Sequence, residues 1–415
     1  MSSKKMISLF SGCGGMDLGF EGGFSVFKPS VNLDMHGDWV EGSVSEHKYM
    51  LKKTGFETVF ANDISLAAKQ TWCNFFSRFG RPDSVFKVGS IVDLIKESMP
   101  GVSLGPGEVS VLTGGFPCQD FSLAGKREGF RSSKSHFGVR GEGHNSEESR
   151  GSLYLWMLRA IEATRPSVFI AENVKGMKYI PRAVETIRAA FAEALDGEYV
   201  VVAPRVLAAP EYGVPQSRER LVFIGLNKKR LRKEALGALA GGETPEEYDP
   251  YPPRTHCLRD NLIRRDGLAP PVTCGQVLLD LPEPEKAGDE SQRHFSKARY
   301  LSNGSQGQTE VRLDGVSPTI RSEHHGNIEY RRLSPENGGR NNRGGEKNLP
   351  QRRLTVRECA RLQTFPDEYE FVFDNDFGKV SASSAYKLIG NAVPPLLAYN
   401  IARRLERNWP LYFDG

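Results

Sequence analysis

Short, continuous apolar runs separated by amphipathic stretches set the rhythm of residues 5–225. KMISLFSG and VSVLTGG run into glycines, FETVFANDI ends in an acid, and PSVFIAENV and RLVFIGL are apolar almost throughout. Strands that are apolar without alternation are buried on both faces, which predicts a mostly parallel sheet. SLYLWMLRAIEATR and PRAVETIRAAFAEALDG repeat at helical spacing and predict the helices that cover it. The rhythm fails after about Asn227. From there to 351 the chain is rich in Gly, Pro, Asn and Arg, with short strand-like pieces at SPTIRSE and NIEYRRL. The tip ENGGRNNRGGEKN has the composition of a disordered segment. Helical spacing returns at TVRECARLQTF, where Thr355 as N-cap and Glu358 three residues on form a capping box. It continues in SSAYKLIGNAVPPLLAYNIARRLERN, whose apolar face predicts packing back onto the first domain. The expected architecture is α/β, with residues 1–225 as one domain completed by 377–415. A smaller contact domain is expected over 226–376, ending in RRLTVRECARLQTFP.

Composition narrows the class. At 415 residues and 39% hydrophobic, the chain can bury more than one core. Apolar runs are too short to span a bilayer, and the first residues lack a secretory apolar stretch. Cysteines at 13, 73, 118, 257, 274 and 359 form no CxxC pair and no ligand spacing with histidine, so neither disulfides nor a metal are expected. The net charge of +4 is unevenly placed: Lys297 to Arg361 holds 13 Lys/Arg against 7 Asp/Glu. A basic segment on a mildly acidic body suits a polyanion, although a solvated basic loop has the same composition.

Three stretches carry chemistry. Phe10-Ser11-Gly12-Cys13-Gly14-Gly15 follows the first strand; its glycines let a ligand approach backbone amides, and the Phe10 ring can lie against a flat base. The run is neither a dinucleotide fingerprint nor a Walker A loop. Asp63, ending a later strand, stands where a carboxylate takes ribose hydroxyls, which favours an adenosine without pyrophosphate. A plain helix N-cap is the other reading of Asp63. Cys118 follows VSVLTGGF at the sheet edge where ligands bind, ahead of a charged Gly/Ser-rich stretch from Leu123 to about Glu148. That placement suits a nucleophile, and a buried inert cysteine is the alternative. Glu172 ends PSVFIAENV, where lost hydration raises a carboxyl pKa, and Asn173 beside it can fix the backbone. In QSRER, Arg218 and Arg220 leave the strand on one side, able to bind a carbonyl oxygen or a phosphate. A surface salt-bridge strand would also fit QSRER alone. Thiol, protonatable carboxyl and guanidinium beside an adenosyl site form the set that activates a pyrimidine ring. The thiolate adds at C6, Glu172 binds N3 and the exocyclic amine, and an Arg near O2 leaves C5 able to take a methyl from a sulfonium. Loss of the C5 proton and the thiol restores the ring. Such an atom is unreachable inside a duplex, so the base must be flipped out.

The runs LFSGCGG, NDI, GGFPCQDFS, RGSLY, ENVKGM, PQSRER, RRLTVRECARLQTFP and YKLIGNAVP, in that order, resemble the S-adenosylmethionine-dependent DNA cytosine-5 methyltransferases of the bacterial modification type. The likeness covers roughly 1–225 and 352–400, and 226–351 is where that family places its target-recognition region. It implies a Rossmann-like class I methyltransferase sheet with a smaller target-recognition domain. S-adenosyl-L-methionine would be the methyl donor and S-adenosyl-L-homocysteine the product, with no metal. Cys118 would be the covalent nucleophile, Glu172 the group at N3 and Arg220 the group at O2, with Arg218 ordering the site and the DNA backbone. Phe10, Gly12, Gly14, Asp63, Pro117, Ser152, Leu153, Asn391 and Val393 would shape the donor pocket. Two departures stand out. Ser90 occupies a position where the family commonly has an acid for the adenine amine, and Ile64 one where an aromatic often stacks. A hydroxyl acceptor and an aliphatic sandwich with Phe10 are the expected substitutes.

Expected DNA contacts are Ser122, Ala124, Lys126 and Arg127, in a stretch expected to close on the target, together with Gln216. Thr319 is expected near the phosphates of the flipped base. Arg321, His324, His325, Arg331 and Arg332 are expected to touch groove edges or phosphates. The expected working form is a monomer on double-stranded DNA, cytoplasmic, nucleoid-associated through that DNA, and paired with a restriction endonuclease or other defence protein. An RNA methyltransferase of the same fold and a non-catalytic DNA-binding relative are the alternatives. The intact Cys118, Glu172 and arginines disfavour the second, and the long Arg-rich region favours duplex DNA over RNA. A zinc deaminase would need HxE and PCxxC runs, which the chain lacks.

Overall fold

The computed structural model describes residues 3–97, 108–116, 153–180, 182–241, 243–258, 267–297, 310–322, 329–333 and 351–414. The first apolar run forms β1 (Lys4–Leu9), followed by α1 (Gly15–Glu21). An insertion then forms β2 (Ser25–Phe27), α2 (Leu33–His36), β3 (Val40–Ser43) and β4 (Lys48–Leu51), a three-stranded antiparallel sheet that the hydrophobic pattern did not announce. The main framework resumes with β5 (Phe56–Asp63), α3 (Leu66–Phe76), β6 (Phe86–Val88), α4 (Ile91–Lys96), β7 (Val111–Gly115), α5 (Leu153–Thr164) and β8 (Val168–Val174). It closes with α6 (Ala183–Gly197), β9 (Tyr199–Val201), β10 (Arg205–Ala208) and β11 (Glu219–Asn227).

These strands make one sheet in the order β10-β11-β8-β7-β1-β5-β6, with β9 also on β11. β8, β7, β1, β5 and β6 are parallel, and β11 runs antiparallel to β8. The chain therefore winds outward from β1 in one direction and restarts at β7 in the other. That reversal opens a crevice at the carboxyl ends of β1 and β7, where ligands bind in such sheets.

Alternate residues of each strand serve opposite faces. Ile7, Leu112, Phe169 and Phe223 pack under α4, α5 and α6 with Met157, Ile161 and Phe191. Met6, Val111, Ile170 and Val222 belong to a second cluster that includes Trp72 of α3. That second cluster continues without a break into the rest of the chain. It takes in Leu239 of α7 (Lys233–Ala240), Val277 of α8 (Cys274–Leu278) and Cys359 of α10 (Val356–Leu362). Between α8 and α10 lie α9 (Glu290–Arg293) and the hairpin of β12 (Tyr330–Arg332) with β13 (Gln351–Arg353). The hairpin β14 (Phe373–Asn375) and β15 (Gly378–Val380) leads into α11 (Ala382–Asn391) and α12 (Pro395–Tyr412).

Local signals were read well where they were strong. Thr355 and Glu358 form the expected reciprocal capping box at the start of α10. The expected single closing helix is two, because Ala392 is extended and Pro394 and Pro395 follow. α12 packs back on α1, where a Cβ at Gly19 would lie 2.4 Å from the Pro395 oxygen. The helix over 183–197 loses helical geometry at Ala194, and Leu195 and Asp196 turn left-handed. Residues 317–322 of SPTIRSE form no strand; their one β-bridge joins Ser317 to Gln216 beside the sheet edge.

Candidate active site

The crevice is a cleft of about 1200 Å³. On one side β1 ends in the glycine loop, and Asp63 at the end of β5 braces it. Gly12 N–H donates to Asp63 Oδ2 at 2.9 Å, and Ser65 N–H donates to Oδ1 at 2.9 Å. Burial raises the Asp63 pKa, against the lowering by those amides. Phe10, Gly12, Asp63, Ile64, Leu153, Asn391 and Val393, the residues expected to shape a donor pocket, all line the cleft. Gly14 does not line it. Its φ is +78°, and a Cβ there would meet the Trp72 ring at 2.6 Å, so this glycine seats the loop on the core. Ser90 also lies outside the lining; its buried Oγ accepts from Val92 N–H and caps α4, while Gly89 and Ile91 face the cleft. Pro117 and Ser152 lie outside the described residues.

The other side is built by β7, β8 and β11. Gly115 pairs with Glu172 in the parallel register, and a Cβ on Gly115 would sit 2.9 Å from Glu172 Oε2. Asn173 Nδ2 donates to the Phe116 carbonyl at 3.1 Å, and Asn173 Oδ1 accepts from Val174 N–H. The backbone entering the Pro117–Cys118 stretch is thus tied to β8. Cys118 itself lies outside the described residues, as do Ser122, Ala124, Lys126 and Arg127.

Glu172 and Arg220 are both buried in the cleft wall, with Nε 2.5 Å from Oε1. Burial raises the Glu172 pKa, with Arg220 and Arg218 pulling the other way. Burial likewise lowers Arg220, with Glu172 opposing. Each group is therefore held less comfortably charged than it would be in water. The arrangement offers a carboxyl and a guanidinium donor on the same sheet edge as a cleft lined by Phe10, Ile64 and Leu153, and no group of described residues has the make-up of a metal site.

Comparison with known proteins decides between the readings of that edge. The family described as C-5 cytosine-specific DNA methylase matches residues 44–407. The chain belongs to this family. The type II methyltransferase M.BspRI of Lysinibacillus sphaericus is 32% identical, over 97% of this chain and 81% of that protein. M.NgoPII of Neisseria gonorrhoeae is 29% identical, over 97% and 95%. The Dnmt2 methyltransferase of S. pombe shares the fold, with a TM-score of 0.56 at 17% identity over 97% of this chain and 98% of that one. The protein is thus a DNA cytosine-5 methyltransferase with a Rossmann-like methyltransferase sheet.

In this DNA cytosine-5 methyltransferase the segment 317–322 reaches the cleft, and Thr319, Ile320, Arg321 and Ser322 are part of its lining. It is stitched to the start of β11. Ser217 N–H donates to the Ser317 carbonyl at 2.7 Å, and Ser317 N–H donates to the Pro215 carbonyl at 3.0 Å. Thr319 Oγ1 donates to the Ser217 carbonyl, which leaves the hydroxyl at the cleft rim. Three expectations need correction here. Gln216 is wholly buried and cannot touch DNA as placed: Nε2 donates to the Leu362 carbonyl, and Oε1 accepts from Ile320 N–H at 2.9 Å. Arg218 is not free to reach the DNA backbone as placed. Its guanidinium is wholly buried, donating to the Ile320 carbonyl and the Gly390 carbonyl at 2.9 Å each. Arg331 is buried against Glu283 and Glu358. Arg321 does line the cleft, half-exposed, 3.7 Å from Glu329. Arg332 of β12 pairs through its backbone with Gln351 of β13, its side chain being outside the described residues, as are His324 and His325.

Two residues were missed. Lys387 lines the cleft four residues before Asn391, a helical spacing that would have placed it on the same face of α11. Asp17 sits behind the glycine loop; a carboxylate among the apolar residues of MDLGFEGG was the available signal.

Proposed function

We propose that the protein transfers a methyl group from S-adenosyl-L-methionine to C5 of a specific cytosine in double-stranded DNA, through a Cys118–C6 adduct on a flipped base. The observation that carries this reading is the buried Glu172–Arg220 pair opposite Gly115, three residues before Cys118. The donor, when bound, supplies an electrophilic methyl group. Phe10 and Ile64 would sandwich its adenine, Asp63 would take its ribose hydroxyls, and Leu153, Asn391 and Val393 would complete its pocket.

Glu172 hydrogen-bonds N3 and the exocyclic amine, and its raised pKa favours the protonated form that N3 requires. As the Cys118 thiolate forms its bond to C6, the C5–C6 electron pair moves into the ring toward N3. Glu172 there delivers a proton while Arg220 donates to O2. C5 would then take the methyl carbon as its bond to the sulfonium sulfur breaks, the electron pair staying on sulfur to leave the neutral thioether. Glu172 takes back the N3 proton, solvent takes the C5 proton, and cleavage of the C6–sulfur bond returns the thiolate and the aromatic ring. Arg218 acts as a strut between β11, Ile320 and Gly390. Thr319, Arg321 and Arg332 are the remaining proposed DNA contacts, with His324, His325, Ser122, Ala124, Lys126 and Arg127. By likeness to the type II methyltransferases, the protein would pair with a restriction endonuclease.

The test is methyl-labelled donor with duplex DNA of diverse sequence or with RNA, and C118S alongside. Label should enter duplex DNA and be lost in C118S, and duplex bearing 5-fluorocytosine should trap a covalent complex. Label absent from duplex DNA, or undiminished in C118S, would overturn the reading.

A further inference from the structure

Asp17 is a buried carboxylate that no step above uses. It has no exposed surface, and among the described residues it forms no ion pair with Lys, Arg or His. Its partners are three fixed dipoles. Oδ1 accepts from Ser8 Oγ at 2.5 Å; Oδ2 accepts from Ser11 Oγ at 2.6 Å and from Trp72 Nε1 at 2.8 Å. Ser8 is the last residue but one of β1, Ser11 lies in the glycine loop, and Trp72 belongs to α3 and backs Gly14. Ser8 and Ser11 line the cleft, as do Gly15 and Met16 on the Asp17 side of the loop. The carboxylate therefore stands one side chain behind the cleft wall.

A charge buried in that way is costly unless something offsets it. Hydroxyl and indole dipoles offset it in part, but a full positive charge in the cleft would do more, because water between them is excluded. The donor proposed above carries a sulfonium cation. Its product is the thioether left when the methyl group has gone, neutral at sulfur and unchanged elsewhere.

Resting on that reading of the donor, we infer that Asp17 is a charge-selective positioning residue, favouring the sulfonium donor over its thioether product and so aiding product exchange. The carboxylate makes no contact with the ligand; it acts through Ser8, Ser11 and the field across the loop.

Several titratable groups pack around it. Cys13 and Tyr369 are held protonated through neutrality by burial, and burial pushes Cys73 up to about 11. Glu21 is paired with Arg81 at 3.2 Å, and Asp63 holds the Gly12 and Ser65 amides. Burial pushes Asp17 itself up to about 6, against the lowering by its three donors. Its charge should therefore be present at pH 7.5 and largely absent at pH 5.

The experiment is calorimetric titration of the full chain with S-adenosylmethionine, S-adenosylhomocysteine and sinefungin, whose amine places a cation near the same point. Relative to the wild type at pH 7.5, D17N at the same pH should lower the donor-to-product affinity ratio by on the order of 10-fold, the size of a charge pair partly screened by protein. Sinefungin should follow the donor. Lowering the wild type from pH 7.5 to pH 5 should shift the ratio in the same direction, a shift that D17N lacks. Should D17N not fold, the wild-type pH series decides alone. Equal weakening of all three ligands in D17N, or a wild-type ratio flat with pH, would overturn the inference. Failure of the wild type to bind any of the three would instead overturn the donor reading.

Discussion

Glu172 and Glu358 are both buried glutamates beside two arginines, yet they are wired in opposite ways. Glu358 accepts both terminal nitrogens of Arg352, at 2.8 and 2.9 Å, and the Thr355 amide at 2.8 Å. Arg331 Nε lies a further 3.1 Å from it. Arg352 and Arg331 also reach Glu283, so two arginines and two glutamates close on themselves. Burial alone would raise Glu358, but Arg331 and Arg352 outweigh it and hold the carboxyl at about 2. Glu172 has one guanidinium contact, Arg220 Nε, which makes no aligned hydrogen bond. The second arginine, Arg218, gives its terminal nitrogens to main-chain carbonyls instead. There burial wins, and the carboxyl rises. A carboxylate held by several aligned donors fixes structure, whereas one with a single unaligned contact in a cleft is ready to exchange its partner for a substrate.

The largest test of that contrast is E172Q. Single-turnover methylation should slow by about 10²–10⁴-fold, the usual worth of a positioned proton donor, while the melting temperature changes little. A comparable loss of both would erase the distinction. E358Q should do the reverse. Leaving two buried arginines short of a partner should cost about 3–5 kcal/mol in denaturant unfolding, with activity per folded molecule nearly unchanged. Acid sharpens it further. Because the folded pKa of Glu358 lies below its ordinary 4.5, its contribution is complete above that pH and is lost as pH falls toward about 2. The acid limb of the wild-type stability curve should therefore be steeper than that of E358Q. The smallest effect belongs to the joint between the two regions. A Cβ on Gly390 would lie 2.4 Å from the Arg321 carbonyl carbon and 2.5 Å from the Ser322 nitrogen. Backbone cannot move aside cheaply, so G390A should cost about 1–3 kcal/mol. It should raise KM for DNA more than it lowers kcat, since it displaces the segment bearing Thr319 and Arg321.

Much of the framework was readable from the chain alone, because the signals were local. Continuous apolar runs specified β1, β5, β7, β8 and β11, and the Thr355–Glu358 spacing specified a helix start. Glu172, Asp63 and the glycine loop could be assigned to one sheet edge because parallel strands end together there. The antiparallel insertion at 25–51 escaped, since its strands are three or four residues long and carry too few positions for a period.

What composition could not decide was the direction of individual polar side chains. Gln216, Arg218 and Arg331 have the chemistry of DNA-contacting residues, and each lies within or near a basic or catalytic run. Their fate depends on the segments that dock beside them. Arg218 is consumed by carbonyls 102 and 172 positions away, and Gln216 by groups 104 and 146 positions away. Arg331 is held by Glu283, 48 positions away. Asp17 is the converse: an ordinary acid in a short helix until folding brings Ser8 and Trp72 onto it from either side in sequence. The sequence by itself determined which groups the protein has and which sheet edge they reach, because periodicity and strand ends are local properties. Tertiary structure alone decided which of those groups remain available to a ligand, because a buried donor or acceptor must find a partner wherever in the chain that partner lies.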